Sequence, residues 1–209
     1  MGKGGHGGGA AGAGHSHSEE YPMDTWNLYQ HLESAEALNA SEADAMGIFR
    51  PFQRRLETEK VIRSDGDEEV LVKLVFRSPC SLRRLMVIGG GTPGHHPSSV
   101  RVYVGKDDLD FQNIEDVRPT FQSALPLNEP GEAYLNLHPP NAFTNVTNVA
   151  LFFDKNHGSV DETILQYIGM QGDHTHDRRE AVNATYEVLC QGHPATTDVD
   201  LHNTVQDSL

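Results

Sequence analysis

Residues 61–76, VIRSDGDEEVLVKLVF, join an acidic turn to an alternating apolar run, and no other segment restricts the fold of this chain as strongly. Asp65-Gly66-Asp67 has turn chemistry, because glycine accepts positive φ and aspartate side chains accept hydrogen bonds from nearby backbone amides. In the run that follows, Val70, Val72, Leu74 and Phe76 fall on one face of a strand, and Leu71, Lys73 and Val75 on the other. Strand character recurs at 70–76, 82–88, 100–104, 133–137, 146–154 and 164–170, with Gly, Pro, Asn and Asp turns between. At least six short strands without intervening helical patterns favour two sheets packed face to face over a parallel α/β sheet. The expected fold class is therefore all-β, a jelly-roll β-sandwich. The runs at 133–137 (AYLNL) and 149–153 (VALFF) are its core candidates.

The ends of the chain read differently. Residues 1–20 are rich in Gly, Ala, His and Ser and bury too little apolar surface to offset the entropy of ordering them, so they read as a flexible tail. Between 24 and 39, Leu28, His31 or Leu32, Ala35 and Leu38 recur at helical spacing, with Asp24 or Thr25 as caps; a short amphipathic helix is expected there, carrying Trp26. Ile48-Phe49-Arg50-Pro51-Phe52 places two aromatic anchors around a proline that stops any helix, and reads as a loop pinned to the core. The division expected is a tail over 1–20, one domain over 21–189 and a second flexible tail over 190–209.

A chain of 209 residues suffices for one domain of roughly 150 residues plus tails. The net charge of −14 and the isoelectric point near 5.2 argue against nucleic acid and anionic membranes as partners, since both require clustered Lys and Arg. No apolar window approaches the roughly 20 residues that span a bilayer, and the first residues lack the apolar centre of a secretory signal. Only Cys80 and Cys190 are present, with no CxxC pair, which fits a reducing cytosol. The expectation is a soluble protein of the cytoplasm, extending to the nucleus.

Four chemical readings were available. Asp65, Asp67, Glu68 and Glu69 carry the hard oxygens that Ca²⁺ prefers, but the EF-hand register fails: its twelfth position falls on Phe76 rather than on glutamate. A structural turn, with Asp65 and Asp67 holding backbone amides and pairing with Arg63 or Arg55, is the simpler reading. His174 and His176 fall on one face of an extended strand at a spacing that suits zinc or copper, without an evident third ligand. Gly89-Gly90-Gly91-Thr92-Pro93-Gly94 follows a strand as phosphate loops do, yet lacks Gly-Lys-Ser/Thr and opens no helix; it reads as a long, mobile connection. No GxSxG elbow is present, and His157 near Asp154 or Asp161 has no local nucleophile. No catalytic residue, cofactor or oligomeric state is specified by these patterns.

In combination the motifs are more specific. The segment ending in Leu38-Asn39, Ile48-Phe49-Arg50-Pro51-Phe52, the block Ser64-Asp65-Gly66-Asp67-Glu68-Glu69-Val70-Leu71, and Pro97-Ser98-Ser99-Val100-Arg101-Val102-Tyr103 follow one another in order. Leu109-Asp110-Phe111, Asn156-His157-Gly158 and Thr163-Ile164-Leu165-Gln166-Tyr167-Ile168-Gly169 complete the series. From about Trp26 to Val188 the chain resembles a PITH domain, the module found at the C-terminal end of thioredoxin-like proteins and as stand-alone proteins. The resemblance implies a galactose-binding-like jelly roll that works as a non-enzymatic protein-interaction module, a proteasome-associated adaptor whose partner is the 26S proteasome. The missing CxxC pair means that no disulfide reductase activity transfers. Loops 89–98 and 156–162 are the expected contacts. The alternative is a small-ligand or carbohydrate-binding jelly roll, which an exposed Trp or Tyr beside the inter-strand loops would favour.

Overall fold

The computed structural model describes residues 25–174. Its eight strands are β1 (Leu32–Leu38), β2 (Ile62–Arg63), β3 (Val70–Gly89), β4 (Ser99–Val104), β5 (Phe121–Ala124), β6 (Glu132–Asn136), β7 (Val146–Phe153) and β8 (Ile164–His174), joined by short 3₁₀ turns. All strand pairs are antiparallel. The two strands expected at 70–76 and 82–88 are halves of one 20-residue strand, β3. Its first half pairs with β1 and β7, and its second half with β8 and β6. The register shifts between Val75 and Cys80, around Pro79, which has no N–H to give a ladder. One layer thus runs β1-β3-β7-β4-β5 and the other β2-β8-β3-β6, with β3 passing from one to the other.

The alternation in β3 sets where the core lies. Val70, Val72, Leu74 and Phe76 join Leu85, Val87, Val102, Leu151, Phe153 and Ile168 in one central cluster. The opposite face is not wholly wet. Leu71 is fully buried with Tyr103, Ala150 and Phe152 beneath Leu109 and Ile114 of the loop that follows β4. Phe111 caps this second core edge-on to Phe152, with ring centroids 6.0 Å apart. A third cluster, Met86, Ile88 and Tyr167, is covered by Trp26 with Phe52 against it. Each large side chain buried in this way contributes about 1.5–3 kcal/mol relative to exposure.

Over the described residues 25–39 the expected helix is absent. Leu28 is buried in the 3₁₀ turn Leu28–His31, and the chain then enters β1, where Leu32, Ala35 and Ala37 are buried and Glu33 and Glu36 face solvent. A register shift between Leu32 and Ser34 interrupts the alternation of β1, so that a turn plus an irregular strand reproduces the spacing of an amphipathic helix. β2 and β5, of two and four residues, were not anticipated.

The 48–52 segment is pinned as expected, through a group that apolar patterning does not reveal. Ile48 and Phe49 are buried, and so is Arg50 at 7% exposure. The Arg50 guanidinium donates to the carbonyls of Gly47 (3.2 Å), Lys60 (3.3 Å), Gln166 (2.8 Å) and Glu57. It ties the loop over 47–60 to β8. Cys80 is buried, and burial raises its thiol pKa to about 11.

Candidate functional site

β3, β5 and β7 end, and β4, β6 and β8 begin, at the same end of the sandwich, so the loops 89–98, 125–131 and 154–163 gather there. The 89–98 loop, expected to be mobile, is tied on both sides. Gly90 N–H donates to Ile164 O (2.9 Å), Ser98 N–H to Lys155 O (2.8 Å), His157 N–H to His96 O (3.0 Å) and Gly158 N–H to Gly94 O (2.8 Å). At Gly158 the two loops touch backbone to backbone. A Cβ there would lie 2.8 Å from Gly94 Cα, a separation that only glycine permits.

Two buried polar side chains hold this end together. Asn156, 5% exposed, donates from Nδ2 to Val160 O (2.6 Å), Glu162 O (3.2 Å) and Thr163 Oγ1 (3.3 Å), and its Oδ1 accepts from Val160 N–H (3.0 Å). One amide side chain thus closes the turn whose outer residues, Ser159, Val160 and Asp161, are exposed. His96, 3% exposed, lies under its own loop with Gly131 against its ring. Neither residue was singled out for this role by sequence. The Asn-His-Gly triplet was the available signal, since Asn side chains commonly close turns of this kind.

Burial draws the His96 pKa below its ordinary value of 6.5, a shift reinforced by His157 and His95 and opposed by the carbonyls of Gly91 and Asn128. The fold therefore favours the neutral imidazole more than the unfolded chain does, in which the group takes up a proton near 6.5. The stability this contributes is complete above that pH and declines as pH falls from there toward the folded-state pKa. In urea unfolding at about pH 7.5 and about pH 5.5, His96→Gln should shrink the difference in stability between the two; an unchanged difference would assign the pH dependence to the carboxylates alone.

The acidic turn packs beside this end. Gly66 has φ 97°, the conformation expected of it. Asp67 Oδ1 accepts from Asn39 Nδ2 (2.6 Å) and Glu69 N–H (2.9 Å), and Asp65 N–H donates to Asn39 O (3.1 Å). Glu68 Oε2 accepts from Asn156 N–H (3.3 Å). Arg63 and Arg55 pair with Glu162 (3.0 Å) and Glu132 (3.7 Å) rather than with the turn aspartates. Among the described residues no three His, Cys, Asp or Glu side chains are grouped so as to hold a metal ion. His174 stacks on His31 with ring centroids 3.7 Å apart, and His176 lies outside the described residues.

An aromatic flank continues from the loops. Tyr134 on β6 is 56% exposed, its hydroxyl donates to Glu132 Oε2 (3.0 Å), and its ring lies 6.1 Å from Trp26. Trp26 stacks on Phe52 at 6.3 Å, and the Arg55 guanidinium sits 4.1 Å over the Phe52 ring. Tyr134 is the exposed member of this flank, with Trp26, 8% exposed, beneath it and Phe52 and Arg55 half-buried. Trp26 reaches it from a bend ahead of the 3₁₀ turn, not from the helix expected.

Comparison with known proteins agrees with the motif series. The model of the PITH domain family matches residues 18–189. PITH domain-containing protein 1 of Homo sapiens is 31% identical over 153 residues, covering 72% of this chain and 70% of that protein. Its counterpart in Dictyostelium discoideum is 26% identical over 175 residues, covering 83% and 85%. Among solved structures, the CBM32-1, CBM32-2 and M60 catalytic domains of Clostridium perfringens ZmpB share the fold over 69% of this chain and 14% of that one, with a TM-score of 0.52 at 8% identity. The CBM32-1 and CBM32-2 pair from the same protein gives 0.50 at 12% identity, over 69% and 35%. The fold is a galactose-binding-like jelly roll. With its ordered motifs, its fold and a family match over most of its length, the chain belongs to the PITH domain family.

Proposed function

We propose that this chain is a non-enzymatic protein-interaction module, a proteasome-associated adaptor of the cytoplasm and nucleus, and that the loop end is the face it presents to its partner. One observation carries the reading: two loops distant in sequence are fastened into a single surface by the Gly94–Gly158 contact and the buried Asn156 and His96. A surface fixed before binding loses less conformational entropy on association than a flexible one. The relatives bear the name of a domain and not of a reaction, and the fold is of a binding type.

Asp65 and Asp161 are exposed at this end and Glu162 is half-buried, within a chain of net charge −14, so the complementary partner surface is basic. Binding then weakens with salt, because charges separated by more than about 8 Å are screened at physiological ionic strength. The purified chain should retain proteasome regulatory-particle subunits from cytosolic extract at low salt and lose them at high salt. Val160→Glu with Asp161→Lys should lose them at both. No retention, or retention indifferent to these substitutions, removes the loop end from the proposal.

Tyr134, exposed beside the loops, favours a second reading as a small-ligand or carbohydrate site. Fluorescence of Trp26, the single tryptophan and 6.1 Å from that ring, separates the two: saturable change on titration with galactose supports the second.

A further inference from the structure

We propose that the outer edge of β5 accepts a short extended peptide as an added strand, with a cationic side chain on one face and an apolar one on the other. This does not depend on the loop-end reading.

The edges of the two layers are not equivalent. β1 is covered by the returning segment 43–45, through Ala37 N–H to Ala43 O (2.8 Å) and Ala45 N–H to Ala35 O (3.1 Å), and β2 by Ser41 N–H to Arg63 O (3.0 Å). The start of the β6 edge is closed by a side chain of the loop before it: Asn128 Nδ2 donates to Glu132 O (2.9 Å) and Asn128 Oδ1 accepts from Glu132 N–H (3.0 Å). Among the described residues, β5 pairs only with β4. The Leu125 N–H bond to Ser98 O (2.8 Å) sets the parity of that ladder, so antiparallel alternation turns the N–H and C=O of Gln122 and Ala124 outward. Among the described residues, Ala124 O accepts only the Ser123 hydroxyl (3.0 Å). Both outward residues are exposed, and β5 carries none of the charges that usually guard an edge.

Grooves on opposite faces of β5 meet at Gln122, each of about 370 Å³. One is lined by Ser99, Arg101, Gln122 and Asp154. Arg101 there is shared between Asp154 (2.9 Å) and Glu115 (2.8 Å), and Glu69 lies in the field of both carboxylates. Three acids around one guanidinium leave a net negative surface, which suits a lysine or arginine. The other groove is lined by Arg118, Pro119, Thr120, Phe121, His138 and Pro139, and its apolar part is the two prolines and the Phe121 ring, edge-on to His138 at 4.9 Å. It suits an aliphatic or aromatic side chain. A strand laid along β5 directs successive side chains to opposite faces, so main-chain bonds supply affinity and the two grooves read alternate residues. Pro119 and Pro126 end the ladder on either side, which limits the added strand to about four residues.

The test is a heteronuclear NMR titration of the full chain with the blocked peptide Lys-Val-Lys-Val-Lys. Saturable shifts centred on the Gln122 and Ala124 amides are expected. The same peptide N-methylated at alternate residues should bind at least about tenfold more weakly, since the added strand loses its donors. The version with Glu for Lys should also bind more weakly. The Val160→Glu, Asp161→Lys variant should respond as the parent does, which separates this proposal from the loop-end one. Absence of shifts at Gln122 and Ala124 at millimolar peptide, or shifts confined to 156–162, overturns it. Shifts that follow protein concentration without peptide would make the occupant a second copy of the chain and likewise overturn it.

Discussion

Replacing Arg50 with methionine should destabilise the domain by about 3–5 kcal/mol, among the largest effects of any single substitution in the chain. The reason is the number of acceptors it serves. Four carbonyls, of Gly47, Glu57, Lys60 and Gln166, take its guanidinium protons at a position 7% exposed. A buried acceptor left without a donor costs about 1–3 kcal/mol, and those near the rim recover part of this by meeting water, so the four losses do not add in full. Lysine keeps the charge but offers a compact ammonium in place of a planar fork, so Arg50→Lys should fall between methionine and the parent. Urea unfolding checks this through the midpoint at unchanged slope. A methionine variant as stable as the parent would mean that the loop over 47–60 holds to β8 by apolar contacts alone.

Arg50 also shows why parts of the fold were legible in the sequence and parts were not. The inner face of β3 was readable because Val70, Val72, Leu74 and Phe76 alternate without interruption and all face one core. The burial of Leu71 on the other face was not, since the cover comes from Leu109 and Ile114, some forty residues on. β1 was misread because its irregularity between Leu32 and Ser34 falls where a period of two and a period of 3.6 are hardest to separate. β5 is too short to show any period. In the site, loops 89–98 and 156–162 were named in advance, but their fastening to each other was not. It depends on Gly94 meeting Gly158 and on His157 N–H reaching His96 O, contacts that only the strand pairing brings about. For Arg50 the decisive acceptor, Gln166 O, lies 116 residues away, beyond any local pattern.

The second large effect separates two phenylalanines that look alike in sequence. Phe49→Ala should cost about 3–5 kcal/mol, because its ring is 6% exposed within the central cluster and its loss leaves a cavity that the surrounding strands cannot close. Phe52→Ala should cost less, about 1–2 kcal/mol, because that ring is half-buried and loses chiefly its stack on Trp26 and the Arg55 guanidinium above it. The two variants also differ in what they expose. Phe52 covers the only tryptophan, so its removal should shift the native fluorescence of Trp26 to longer wavelength, whereas Phe49→Ala should leave the native emission in place and lower the melting temperature. Equal melting temperatures for Phe49→Ala and the parent would place the Phe49 ring on the surface and undo the account of the pinned loop. A fluorescence shift in neither variant would mean that Trp26 is shielded by something other than Phe52.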